Sequence, residues 1–162
     1  MIKNAQVDRK PKVLILTGSA NDLSKLEEAF SFLEEMGVEY VKDISSAHRN
    51  PEKTITYAKS AKEEGIEVII AAAGLAAHLP GVIAAHTTIP VIGIPLATGP
   101  LSGLDALLSI VQMPKGTPVA TVGIDGAKNA AILACQILAI KYEEIGEKLK
   151  KYKETLKGDP KK

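Results

Sequence analysis

Three short runs of this chain, Lys12–Thr17 (KVLILT), Glu67–Ala73 (EVIIAAA) and Val91–Leu96 (VIGIPL), are apolar along their length rather than at every second position. A strand with one wet face alternates. A strand apolar throughout is covered on both faces, which is the condition of a parallel sheet lying between two helical layers. Val38–Ile44 and Pro118–Gly123 read as two further strands. Helical segments separate them. Asp22–Met36 carries Leu23, Leu26, Phe30 and Leu33 at helical spacing. Asn50-Pro51-Glu52 reads as a helix start, with Asn50 as cap and Pro51 at the first helical position. Ser102–Met113 suits a helix, and Ala127–Ile140 is apolar on nearly all sides, the mark of a buried one. A last amphipathic segment puts Ile145, Leu149, Tyr152 and Leu156 on one face. The expectation is an α/β fold, a three-layer, doubly wound, flavodoxin-like parallel sheet of about five strands with a C-terminal helix. The 162 residues suffice for one domain. It is placed at residues 12–157, after an N-terminal extension (1–11) and before a charged, frayed tail (158–162).

Composition narrows the function. Twenty basic and nineteen acidic side chains leave a net charge of +1, a poor footprint for nucleic acid. One cysteine, Cys135, permits no intrachain disulfide and no Cys-based zinc site. There is no Trp, with only 2 Phe and 4 Tyr, which argues against aromatic platforms for bases or a flavin ring. Met1–Pro11 is polar and lacks a signal-like apolar stretch, so a cytoplasmic location is expected. Between Val68 and Pro114, Asp105 is the only Asp, Glu, Lys or Arg. Pro80, Pro90, Pro95 and Pro100, with His78 and His86, interrupt this stretch too often for a membrane-spanning helix. Its helices and loops should nonetheless meet water, so copies of the same chain are expected to cover it in a homo-oligomer. The alternative is a monomer with an uncharged Ser/Thr/Gly-rich face.

In a doubly wound sheet ligands bind beyond the carboxyl ends of the strands. After the first strand comes Gly18-Ser19-Ala20-Asn21-Asp22, whose polar side chains precede a helix; this suits an anion such as phosphate, or plain helix capping. It is neither GxGxxG nor a Walker loop. After the second come Ser46-Ala47-His48-Arg49, pairing a residue that exchanges protons near neutral pH with one that clamps anions through a fork. After the third comes Gly74-Leu75-Ala76-Ala77-His78-Leu79-Pro80-Gly81, small and apolar, able to approach a flat ligand. On its own His78 reads as a locally hydrogen-bonded histidine, and His86 as a cap on helix carbonyls. Asp105 needs a partner if buried, and Cys135 reads as inert core. A response regulator is excluded, because the third strand ends in Ala71-Ala72-Ala73-Gly74 with no acidic residue.

Together these loops resemble the class I PurE family, the N5-carboxyaminoimidazole ribonucleotide mutases of de novo purine synthesis. The resemblance rests on Gly18–Asp22, Ser46–Arg49, Ala76–Gly81, Pro90–Pro95, Ser102–Asp105, Ser109–Pro114, Pro118–Val122 and Asn129–Ala131, in that order, and covers roughly Val13 to Leu138. Two positions depart from the family pattern. Asn21 stands where the family usually has a second Ser and keeps a hydrogen-bonding side chain. Leu75 replaces the second of two glycines, narrowing the pocket or changing how a carboxylate is held.

The resemblance implies transfer of a carboxylate from the exocyclic nitrogen of an aminoimidazole ribonucleotide to ring carbon 4, with no metal, ATP or organic cofactor. It implies His48 as the general acid/base. Ser19, Asn21, Asp22, Ser46, Ala47, Arg49, Gly74, Leu75, Ala76, His78 and Leu79 would surround the substrate. Within that set Arg49 and Ser19 would hold the 5′-phosphate, Asp22 the ribose, and Gly74–Leu79 the CO2. It further implies an octamer with sites at subunit junctions. Two alternatives stand beside it: carboxylation of aminoimidazole ribonucleotide by free CO2, and a non-catalytic nucleotide sensor.

Overall fold

The computed structural model describes residues 10–158, so most of the expected N-terminal extension and of the charged tail lie outside the described residues. Five strands, β1 (Lys12–Thr17), β2 (Glu39–Ile44), β3 (Val68–Gly74), β4 (Val91–Leu96) and β5 (Ala120–Thr121), form one parallel sheet in the order β2-β1-β3-β4-β5. The helices are α1 (Glu27–Met36), α2 (Pro51–Ser60), α3 (Leu79–Ala84), α4 (Leu104–Val111), α5 (Ala127–Leu138) and α6 (Glu143–Lys157). This is the doubly wound, flavodoxin-like arrangement expected of apolar strands alternating with helices.

The central strands split their side chains between two cores. Val13, Ile15, Val68, Ile70, Ile92 and Ile94 pack with α1, α5 and α6 on one face. Leu14, Leu16, Ile69, Ala71 and Val91 pack with α2, α3 and α4 on the other. Cys135 is buried in the first core, where desolvation pushes its thiol up to about 12, and it is inert at neutral pH. No helix among the described residues is long and apolar enough to cross a membrane.

Several boundaries differ from expectation. The segment expected as helix from Asp22 begins as a 3-10 helix, Ala20–Leu26. There Ser19 Oγ accepts from the Asn21 N–H and Ser24 Oγ donates to the Asn21 carbonyl, side-chain bonds that compete with α geometry. Helix α4 starts two residues late because Ser102 (φ 50) and Gly103 (φ 90) are left-handed, and it stops before Met113, whose successor Pro114 disfavours a helical predecessor. Strand β5 is far shorter than Pro118–Gly123. It is an edge strand opened by a proline, and beyond it the chain follows β4 only through isolated bonds from Val122 N to Gly93 O and Asp125 N to Pro95 O. Helix α5 buries one alanine-rich face, whereas Ile140 lies past its end and is 88% exposed. On α6, Ile145 and Leu149 are buried and Tyr152 packs edge-on against Phe32, while Leu156 stays partly exposed.

Asn50 caps α2 through the Lys53 N–H, with Pro51 in the first turn, as the sequence implies. A polar cluster then locks α2 to the end of β2. Lys53 Nζ lies 2.7 Å from Asp43 Oδ2 and donates to the Ile44 carbonyl, and the Tyr57 hydroxyl donates to Asp43 Oδ2. The Lys53 ammonium, then the Tyr57 hydroxyl, hold the Asp43 carboxyl down at about 2 against an ordinary 3.8. The same bond raises the Tyr57 phenol to about 12. Folding thus favours the ionised Asp43. This contribution is complete above pH 3.8 and is lost as pH falls through about 2. Asp43→Asn is expected to lower the unfolding free energy at pH 7, and its deficit relative to the parent chain should shrink as denaturant titrations are repeated from pH 4 down to pH 2. A deficit independent of pH would contradict this linkage.

Candidate active site

The order β2-β1-β3 sends the chain after β1 to one face of the sheet and the chain after β3 to the other, opening a crevice at their carboxyl ends. A cavity of about 550 Å³ occupies it. Its walls contain every residue that the family resemblance placed around the substrate: His48, Ser19, Asn21, Asp22, Ser46, Ala47, Arg49, Gly74, Leu75, Ala76, His78 and Leu79. Gly18, Ala73 and Thr98 line it as well. Thr98 lies two residues past β4, in the loop to which the strand-end rule points.

The β1 turn is built by its own side chains. Thr17 Oγ1 donates to the Ser19 carbonyl, and the Asp22 N–H donates to the same oxygen. The Ser19 hydroxyl is a cap, as one of its two readings had it. Burial raises the Asp22 carboxyl above its ordinary 3.8, against the opposing pull of Lys25 and of a backbone bond from Ser19. Arg49 reaches across from the β2 loop: Nη2 donates to the Gly18 carbonyl at 3.0 Å and Nε to Ser46 Oγ at 3.4 Å. A guanidinium has five N–H donors, so this anchoring fixes its plane and leaves three to face an anion.

His48 Nε2 and His78 Nδ1 share a hydrogen bond of 2.7 Å, with ring centroids 4.8 Å apart at 78°. One ring donates and the other accepts, according to their tautomers, so the bond offers a path for a proton between the rings. His78 is therefore bound to the other site histidine, not to its local backbone as it read on its own. His86, by contrast, caps α3 as expected, with Nδ1 2.9 Å from the Val82 carbonyl. Asp105 lies outside the cavity, and its buried Oδ1 has no hydrogen-bond partner. The third loop comes very close to the fourth: a Cβ on Gly74 would collide with the Thr98 hydroxyl, so only glycine fits. The fourth loop is held from behind. Lys25 Nζ donates to the Ala97 carbonyl (2.7 Å), Asp125 Oδ1 accepts from the Ala97 N–H (2.9 Å), and Lys25 pairs with Asp125.

A doubly wound protein with a hydrogen-bonded histidine pair and an anchored guanidinium in its strand-end crevice has the architecture of an enzyme for a small anionic metabolite. The comparisons narrow this. The chain matches the AIR carboxylase family model over residues 12–159. An N5-carboxyaminoimidazole ribonucleotide mutase of Pyrococcus abyssi is 63% identical over 147 residues, covering 91% of this chain and 84% of that protein. A phosphoribosylaminoimidazole carboxylase of Schizosaccharomyces pombe is 55% identical over 129 residues, 80% of this chain but 23% of that protein. The crystal structure of Treponema denticola PurE superposes with a TM-score of 0.82 at 31% identity, covering 92% of this chain and 93% of that one. The chain belongs to the AIR carboxylase family.

The hydrogen bond between the histidines has a direct consequence in solution. In His78→Phe the ¹⁵N chemical shifts of the His48 ring nitrogens should move, because the bond between the two rings is lost. Unchanged His48 ring shifts in that variant would mean that the rings do not interact.

Proposed function

We propose that the chain is an isomerase that converts N5-carboxyaminoimidazole ribonucleotide to 4-carboxy-5-aminoimidazole ribonucleotide in purine biosynthesis. The observation that carries this reading is the His48–His78 pair set beside the anchored Arg49 in one cavity. The reaction moves a carboxyl group without net redox change and without net proton uptake. The N–C bond of the carbamate breaks, its electron pair stays on the exocyclic nitrogen, and that nitrogen takes a proton from His48. Ring carbon 4 then bonds to the CO2 carbon and passes its own proton back to His48. One group positioned at both atoms serves both steps.

The rest of the cavity suits the remaining parts of the substrate. Arg49 and Ser19 hold the 5′-phosphate, with Asn21 adding an amide. Asp22 accepts from the ribose hydroxyls. Ser46 and Ala47 place His48, while Gly74, Ala76 and Leu79 supply the small apolar wall against which CO2 waits. His48→Asn should then lower kcat by at least about 10²–10⁴-fold while substrate still binds. Arg49→Ala should chiefly raise KM, by roughly 10- to 100-fold, the value of a lost charged hydrogen bond. Near-normal turnover in His48→Asn would overturn the mechanism.

The deciding assay is ultraviolet, without ATP, metal or bicarbonate. Product from the N5-carboxylated substrate alone supports the mutase. Product only from aminoimidazole ribonucleotide and added bicarbonate makes the chain a CO2-dependent carboxylase. Binding with no product from either makes it a sensor.

The chain also acts as a cytoplasmic homo-oligomer, an octamer on the family resemblance. What supports association is one face of the uncharged stretch. Leu104, Leu108 and Val111 are each about half exposed in a stripe along α4, with Leu101 exposed just before it, while Ala106 and Ile110 turn into the core. Such a contiguous apolar stripe marks an association surface. Sedimentation should give a particle several times 17.1 kDa, and Leu104→Glu with Leu108→Glu should reduce its mass. A parent chain that sediments as a monomer would refute the assembly.

A further inference from the structure

Leu75 combines three properties that do not ordinarily meet in one leucine. Its backbone is left-handed (φ 54), a region that leucine rarely enters. Its side chain is 52% exposed although it belongs to the cavity wall. And it lies across Gly99 of the neighbouring loop, itself left-handed at φ 71, where a Cβ on Gly99 would stand only 2.5 Å from Leu75 Cδ2. The two positions are matched: Gly99 has no side chain, and Leu75 fills the space. The result is an apolar bridge from the β3 loop to the β4 loop at the cavity. The β4 loop is not free to retreat from it, since Lys25 and Asp125 grip Ala97 on both its carbonyl and its N–H.

We propose that Leu75, seated on Gly99, is the residue that decides whether the carboxyl carbon stays in the site between its two bonds. This rests on the isomerase reading above and deepens it. Once the N–C bond is broken, the migrating group is CO2, uncharged and small. With no net charge it is held only weakly by a guanidinium or ammonium, so an apolar wall that blocks its way out is what slows its escape and hydration. Leu75 supplies that wall on the side where the β3 and β4 loops meet. It is a specificity-determining residue, because it favours the substrate's own carbon over dissolved CO2, and it takes no part in proton transfer.

The test measures carbon origin rather than rate. N5-carboxyaminoimidazole ribonucleotide is turned over in ¹³C-bicarbonate with carbonic anhydrase present, and the mass of the product carboxyl is read, corrected for uncatalysed breakdown of the substrate. The parent chain should deliver mostly unlabelled product. Leu75→Gly should raise the labelled fraction several-fold. Glycine adopts φ 54 without strain, so this variant should fold at least as well, which a melting curve checks. Leu75→Ala keeps the backbone cost but removes the bridge, and should also raise the label. Gly99→Ala should raise the label in the parent background and have a smaller effect in Leu75→Gly, because the clash it creates is with Leu75 itself. Equal labelling in the parent, Leu75→Gly and Leu75→Ala would overturn the proposal while leaving the isomerase intact. Absence of product from the parent chain in this assay would instead refute the isomerase reading.

Discussion

The constraint on which the structure depends is that β1 and β3 are neighbours although β2 lies between them in the chain. Both are buried on both faces, and the right-handed crossovers that connect parallel strands then carry the helices after them to opposite sides. The two loops must part at the sheet edge, and the crevice between them is a consequence of covering the sheet rather than an added feature. Everything chemical in this molecule is arranged around that parting. Arg49 bridges it from the β2 loop back to the β1 turn. His48 bridges it toward the β3 loop through His78.

The chain spends much polar chemistry on holding one loop, residues 45–50. The Asp43–Lys53–Tyr57 cluster and the buried hydroxyl pair of Ser45 and Thr54 clamp it to α2 from either side, and Asn50 closes the helix entrance. Such a loop can carry an exposed histidine without letting it wander. For a reaction in which one group must reach two atoms of the same substrate in turn, placement matters as much as basicity. This explains why the Asp43–Lys53 ion pair lies behind the loop and not in the cavity.

Much of this was legible in the sequence, and the physical reasons are plain. Unbroken apolarity identifies doubly covered strands, and it placed β1, β3 and β4 nearly to the residue. The edges of the sheet carry a weaker signal: β2 displays Glu39 and Lys42, and β5 shrinks to two residues because a proline and few ladder bonds define it. The cavity residues were legible because strand ends are places, not motifs. The His48–His78 bond was not, since His78 stands 30 positions away and its surroundings in sequence are wholly apolar. Thr98 sits in a strand-end loop too, but a threonine there carries no chemistry of its own, and only its closeness to Gly74 shows how tightly the loops meet. The left-handed starts before α4 were hidden for the same reason: serine and glycine fit either a cap or a turn.

Among the described residues, the non-glycine positions with positive φ are Leu75, Ser102 and Asp125. They belong to the loops after β3, β4 and β5 respectively, and to no other part of the fold. Each costs of order 1–2 kcal/mol relative to an ordinary backbone. Asp125 recovers part of that cost through the hydrogen bond from Ala97 and the ion pair with Lys25, and aspartate tolerates the region better than most residues. Leu75 makes no polar bond and is half exposed, so its own packing recovers little. Strain that persists without local compensation persists because the surrounding structure over-determines it. Here that structure is the rigid five-stranded sheet, which fixes where each loop begins. The stability of the doubly covered core is thus what allows the third loop to hold a leucine where folding alone would favour a glycine.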